Sequence, residues 1–260
     1  MLSRGPSSAL LFLVIYIVNP FYFVPDFILP SECKMNIDEF PNITISSINC
    51  NSLNMSSVGS LNHKLKLYGI TKLKTDIIFL SDIRVSNAQN VSCIPLIRNT
   101  FRTNPYAGYD FHFNSTMNKR GVGILLKKSS SFRICEEWRD TAENILILKL
   151  CTEGNPFQFL VGCIYGPNRF EPAFFDFLRT TLSGTGNVPI ILGGDWNCTG
   201  SNVPARENPD LLNTNNLPNK RHSDLLLTLC NDLDLADPFR TLHPNLIEYT
   251  YIPSDPLKKK

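Results

Sequence analysis

The chain has 260 residues, 43% of them hydrophobic and 18% charged, with a net charge of +2 at pH 7. This length holds one large domain or two small ones, and the composition excludes a disordered chain. So small a net charge also excludes nucleic-acid binding by bulk charge, leaving local clusters such as Lys127-Lys128, Lys220-Arg221 and Lys258-Lys259-Lys260, each of which also reads as a solvated surface.

Ser8 to Leu29 is strongly apolar and is preceded by Arg4, but Asn19, Pro20, Pro25 and Asp26 interrupt it and no small-x-small cleavage site follows. A membrane anchor, an inefficient signal peptide and translated upstream sequence all fit this run. Residues 1–41 are therefore read as an extension outside the fold, able to associate with a membrane, and 42–260 as the domain. Five Asn-x-Ser/Thr sites (Asn42, Asn54, Asn90, Asn114, Asn197) fit secretion, though a chain rich in Asn and Ser generates them by chance. The eight cysteines form no CxxC pair and no zinc spacing, which points to a reduced, intracellular protein.

From residue 42 the pattern settles. Ile43 to Ile48 alternates and is β-branched, a strand signal. Leu61, Leu65, Tyr68 and Leu73 recur at helical spacing, predicting a helix over 61–73. Residues 76–80 read as a buried strand and 86–118 as a long surface excursion. Three more strands are expected at 121–126, 145–150 and 157–165, the last two joined as a hairpin through the turn-rich 151–156. Glu171 to Leu182 starts with a proline and carries Phe174, Phe175, Leu178 and Leu182 on one side, a helix. A strand at 188–192, a polar loop at 198–220, a helix capped by Ser223 and running through Leu233, and a strand beginning at Tyr249 complete the pass. Strands outnumber helices, and helices fall between strands. The expected fold is α+β, two packed sheets with helices outside them; no glycine-rich phosphate loop supports a doubly wound alternative.

Four strand ends carry polar residues: Asn49-Cys50-Asn51, Ser81-Asp82, Tyr165-Gly166-Pro167-Asn168 and Gly194-Asp195-Trp196-Asn197. Asp195 and Asn197, two apart on an extended backbone, are expected to share a face, with the glycines before them opening space for a close approach. In order, INCNSL, FLSDIR, GVGILL, IYGPN and GGDWN resemble the endonuclease/exonuclease/phosphatase superfamily, whose fold is that of DNase I and exonuclease III. Within it they resemble the apurinic-type endonucleases of LINE (non-LTR) retrotransposons, and Asp237 to Pro244 with Glu248 to Tyr251 looks like the segment these enzymes carry before their last strands. The similarity spans about residues 43–254.

This resemblance implies a DNase I-like two-sheet sandwich in four layers, α/β/β/α, and a Mg²⁺-dependent (Mn²⁺ as a substitute) hydrolase that nicks DNA as a monomer in the nucleus. It implies that Asp82, where relatives usually have Glu, binds the metal with help from Asn49. Tyr165 would hydrogen-bond the scissile phosphate, Asp195 would orient or deprotonate the attacking water, and Asn197 would donate to the transition state. Asn51, Asn168 and Thr250 would lie near the phosphate, and Arg84 would touch DNA. The family's later Asp and its C-terminal Ser-Asp-His have no counterpart in the sequence, so the last strands are expected to be missing and the domain to be part of a longer polyprotein with a reverse transcriptase. A small-molecule phosphodiesterase or phosphatase, a secreted DNase I-like enzyme on the same fold, and a non-catalytic remnant are the alternatives.

Overall fold

The computed structural model describes residues 11–14, 43–53, 75–85, 99–102, 107–116, 119–130, 132–152, 157–198 and 220–242. The expected helix at 61–73, the strand from Tyr249, Thr250 and residues 199–219 of the 198–220 loop lie outside the described residues.

Among the described residues, ten strands form two sheets. The smaller contains β2 (Ile45–Asn49), β3 (Ile77–Ser81), β4 (Tyr109–Asn114) and β5 (Val122–Lys127), in the order β2-β3-β5-β4. The larger is ordered β10-β1-β9-β8-β7-β6, from β1 (Leu11–Val14), β6 (Phe132–Arg139), β7 (Ile145–Thr152), β8 (Gln158–Tyr165), β9 (Ile190–Asp195) and β10 (Leu235–Ala236). The α-helices described with them include α1 (Pro172–Gly184), α2 (Lys220–Leu233) and the short α3 (Pro238–Leu242). This is the expected α+β sandwich.

Alternation along each strand decides which face a side chain joins. On β7, Leu146, Leu148 and Leu150 turn inward to the smaller sheet, whereas Ile145 and Ile147 turn outward to the helices. On β8, Phe159, Val161 and Cys163 face inward, and Leu160 and Ile164 outward. Ile77 and Phe79 of β3 and Val122 and Ile124 of β5 close the inter-sheet core from the other side. Both faces are buried, so these strands read as continuous apolar runs. Against the outer face of the larger sheet, α1 packs Phe174, Phe175, Leu178 and Leu182, and α2 packs Leu226 and Leu229.

Several elements differ from the sequence reading. The 86–118 excursion contains β4, paired antiparallel with β5. A strand unread in the sequence, β6, pairs antiparallel with β7 as an edge of the larger sheet. The helix expected from Ser223 begins at Lys220, so Ser223 lies inside it instead of capping it. The 1–41 extension, expected to lie wholly outside the fold, contributes Leu11–Val14 as β1, parallel to β9 and β10. Among the described residues, no helix is long and apolar enough to cross a membrane.

Candidate active site

Strand parity builds the site. Asn49 follows Ser47 on the inner side of β2, Asp195 follows Ile191 on the inner side of β9, and Tyr165 follows Cys163 on β8. Tyr165 and Asp195 are register partners across β8 and β9, and Asn49 pairs with Ser81 across β2 and β3. All four are at the C-terminal ends of their strands, so the sandwich gathers them at one rim. A hydrogen bond joins the two sheets there, Asn49 Nδ2 donating to Asp195 Oδ2 at 2.7 Å, between residues 146 apart in sequence.

Asp195 is 7% exposed. Burial pushes its carboxyl above the usual range; the Asn197 N–H and the Asn49 amide act against that rise, while nearby Asp82 adds to it. Asp195 Oδ1 accepts from the Asn197 backbone N–H at 3.0 Å. Asn197 has φ +51°, so the chain has left the strand by then. The carboxylate and carboxamide therefore converge through an Asx-type turn, and the expectation of an extended pair on one face is corrected. The Asn197 amide nitrogen donates to the Gly166 carbonyl at 2.6 Å, which ties the two strand-end turns together.

The glycines serve the backbone. A Cβ on Gly194, which sits at φ +131°, would lie 2.0 Å from the Ile164 carbonyl oxygen, and one on Gly166 would lie 1.9 Å from that of Trp196. Close approach occurs here between neighbouring strand ends, sealed by Gly166 N–H donating to the Asp195 carbonyl at 2.6 Å. Trp196 turns away from the rim, with its ring edge-on to Phe174 in the helix-facing core.

Asp82, 4% exposed, lies just past β3. Arg84 grips it with both arms, Nε donating to Oδ1 at 2.8 Å and a terminal nitrogen to Oδ2 at 2.7 Å. Asp82 (φ +54°) and Arg84 (φ +49°) are both left-handed, which lets a side chain and its second neighbour face one another. Asp82 first, and more weakly the Tyr165 phenol, raise the Arg84 guanidinium above its ordinary value. Burial raises the Tyr165 phenol, Asp82 and Asp195 add to that rise, and Arg84 and Asn197 oppose it. Arg84, expected at DNA, is thus turned onto the metal-binding candidate.

Asn51, at φ +42°, donates its N–H to Asn49 Oδ1 at 3.0 Å and so orients that amide. Asn168 is exposed beyond Pro167. Asn49, Asp82, Arg84, Tyr165, Asp195 and Asn197 are brought together. Of the eight left-handed non-glycine residues described, five (Asn51, Ser52, Asp82, Arg84, Asn197) lie at these strand ends, a concentration of backbone strain typical of working sites.

The sequence reading missed a supporting hub. Asp140 Oδ1 accepts from the N–H groups of Asn144 and Ile145, both at 2.8 Å, and Asn114 donates to Asp140 and to the Ile145 carbonyl. The Asn144 carbonyl then receives the Tyr165 N–H at 2.8 Å. Its signal was the Asp-Thr-Ala-Glu-Asn turn at 140–144, which reads as an Asx turn. His222 of α2 is a packing residue: it is 1% exposed and its Nε2 accepts from the Glu171 N–H.

The candidate ligand atoms are oxygens, the carboxylates of Asp82 and Asp195 and the Asn49 amide oxygen; Arg84 holds both Asp82 oxygens, and the Asn49 oxygen accepts from the Asn51 N–H. That chemistry fits a hard cation such as Mg²⁺, which takes one or two carboxylates and fills its shell with water and phosphate. Among the described residues no group of three or more His, Cys, Asp or Glu is placed to hold a metal.

No protein-family model matches the sequence. Solved structures do. An AP endonuclease from Leishmania major superposes with a TM-score of 0.60 at 13% identity, over 82% of this chain and 74% of its own. An AP endonuclease from Archaeoglobus fulgidus gives 0.53 at 19% identity, over 82% and 79%. The fold is that of the AP endonucleases. A 3'-5' exonuclease from Neisseria meningitidis shares it, with a TM-score of 0.52 at 16% identity over 83% and 80%. In this AP-endonuclease fold the described rim lies where the carboxyl ends of β2, β3, β8 and β9 meet.

Proposed function

We propose that the chain is a metal-dependent phosphodiester hydrolase that nicks DNA, of the type carried by non-LTR retrotransposons. The observation that carries this reading is the Asn49–Asp195 hydrogen bond, which sets a buried carboxylate of one sheet against an amide of the other, beside Tyr165 and Asp82. Asp195, held by Asn49 and by the Asn197 N–H, takes the proton of the attacking water. The Tyr165 hydroxyl and the Asn197 amide donate to phosphate oxygens as charge develops on them. Asp82, with Asn49, holds the metal, which supplies charge neutralisation at the phosphate when bound. Asn51, Asn168 and Thr250 belong to the phosphate's surroundings. This reading carries a nuclear location, action as a monomer, and a reverse transcriptase on the same polyprotein.

Nicking of supercoiled plasmid in Mg²⁺ tests it. Asp195→Ala is expected to reduce the rate about 10²–10⁴-fold, the contribution of a positioned general base. Undiminished nicking would sink the assignment, and hydrolysis of a soluble phosphate ester without nicking would move the substrate to small phosphodiesters.

One observation favours a second reading, a non-catalytic remnant: both Asp82 oxygens are already engaged by Arg84. The two readings part on metal binding. If Asp82 is a ligand, Arg84→Ala frees it and tightens Mg²⁺ or Mn²⁺ binding in calorimetry by about tenfold, the order of one lost competing charge-assisted contact. Equal or absent metal binding in both proteins would favour the remnant.

A further inference from the structure

At the opposite end of the larger sheet, two cysteines meet. β6 pairs Arg133 with Cys151 and Ile134 with Leu150, then skips, so that Glu136 pairs with Lys149. Cys135 is the extra residue of this bulge. It has no partner across the ladder, and the bulge re-aims its side chain onto Cys151. Their Sγ atoms are 3.0 Å apart, closer than two unbonded sulfurs normally rest and about 1 Å longer than a disulfide bond. Cys135 is exposed and Cys151 is 5% exposed, so one sulfur is open to solvent and the other waits beneath it. Arg133, beside them, donates from Nε to Cys151 Sγ at 3.4 Å.

We propose that Cys135 and Cys151 are a thiol-oxidation site, at which a small-molecule disulfide of the glutathione type converts the pair reversibly to an intrachain disulfide. The Cys135 thiolate attacks one sulfur of R–S–S–R, forming a mixed disulfide and releasing RS⁻, which takes up a proton. The Cys151 thiolate then attacks the Cys135 sulfur. The mixed-disulfide bond breaks, the Cys135–Cys151 bond forms, and a second RSH leaves. Two protein thiols are oxidised and one small disulfide is reduced to two thiols.

The surroundings suit the second step. In the free pair the hydrogen bond with Cys135 and then the Arg133 guanidinium hold the Cys151 thiol below its ordinary value; once Cys135 is in the mixed disulfide its S–H is gone, and Arg133, 3.4 Å from the Cys151 sulfur, is the group left to favour the thiolate. That shared hydrogen bond raises the Cys135 thiol, so the first step is the slower one. Burial pushes Cys163, Cys198 and Cys230 up to about 12 and keeps them inert. The bond would also tie the exposed edge strand β6 to its neighbour. Cys151 lies six residues along β7 from Ile145, roughly 20 Å from the rim that holds Tyr165.

The test incubates the full chain in mixtures of reduced and oxidised glutathione, blocks remaining thiols and maps the peptides by mass. The wild type is expected to yield the Cys135–Cys151 cross-link with no retained glutathione, reversed by dithiothreitol. Cys151→Ser is expected to trap glutathione on Cys135, and Cys135→Ser to give neither product while nicking is unchanged. The oxidised wild type should melt higher by roughly 5–10 °C, the effect of closing a loop of this length. Glutathione persisting on wild-type Cys135, a pair left as free thiols under oxidising mixtures, or Cys151 cross-linked elsewhere would overturn the proposal.

Discussion

Asp195 carries a conflict that pH exposes. Burial favours its neutral form, yet the general base proposed for it must be ionised, so on that proposal the acid limb of the kcat/KM profile is expected above the ordinary carboxylate range. The Asn49 amide is one of two groups holding that value down. Asn49→Ala therefore moves the limb to still higher pH, and a pH–rate series on both proteins checks the direction. Linkage gives a second sign. A raised carboxyl favours the folded state at low pH, and that contribution is lost as pH rises from the unfolded value through the folded one. Asp195 thus lowers stability at neutral pH for the sake of its position. The same scale limits glycosylation: Asn114 and Asn197 both have sequons, but their amides are engaged in hydrogen bonds within the fold.

Elements show what the sequence made legible. β3, β7, β8 and β9 are buried on both faces, so unbroken apolar runs announced them, and Asn49, Tyr165 and Asp195 were legible as polar residues at strand ends, whereas the period-2 pairing expected of Asp195 and Asn197 fails because Asn197 has left the strand. β6 was hidden because its bulge puts Glu136 and Glu137 in succession and breaks the alternation begun by Phe132 and Ile134. β4 did carry a period-2 signal, Tyr109, Phe111 and Phe113, but the polar residues around it masked the pattern. The Arg84–Asp82 grip could not be read, since it depends on two left-handed residues that no local motif demands. Asp76 fastens the elements it precedes: it accepts from the Thr44 N–H and hydroxyl, from Ser130 and from Lys127. Burial works against its charge, but these donors hold its pKa below the usual value. Asp76→Ala is expected to cost about 2–4 kcal/mol in urea denaturation at neutral pH. A depressed carboxyl contributes stability above its unfolded value and loses it as pH falls through the folded one, so the difference between the two proteins should shrink in acid.

For the whole molecule, the inter-sheet core is what makes two half-sites into one. Phe159 is fully buried there, with its ring edge-on to Phe132 at 5.9 Å. Phe159→Ala is expected to cost about 3–5 kcal/mol, through lost burial and an unfilled cavity. Because the Asn49–Asp195 bond crosses that same gap, nicking and near-ultraviolet dichroism should disappear at one shared urea midpoint. Separate midpoints would show that the sheets hold the site independently.

That bond also has a bearing on biosynthesis. Asn49 leaves the ribosome long before Asp195, and β2 and β3 can pair while β9 is still unmade. A nascent chain therefore carries amide and acid apart until the second sheet closes over the first, and the joined pair arrives in one late event instead of growing with length.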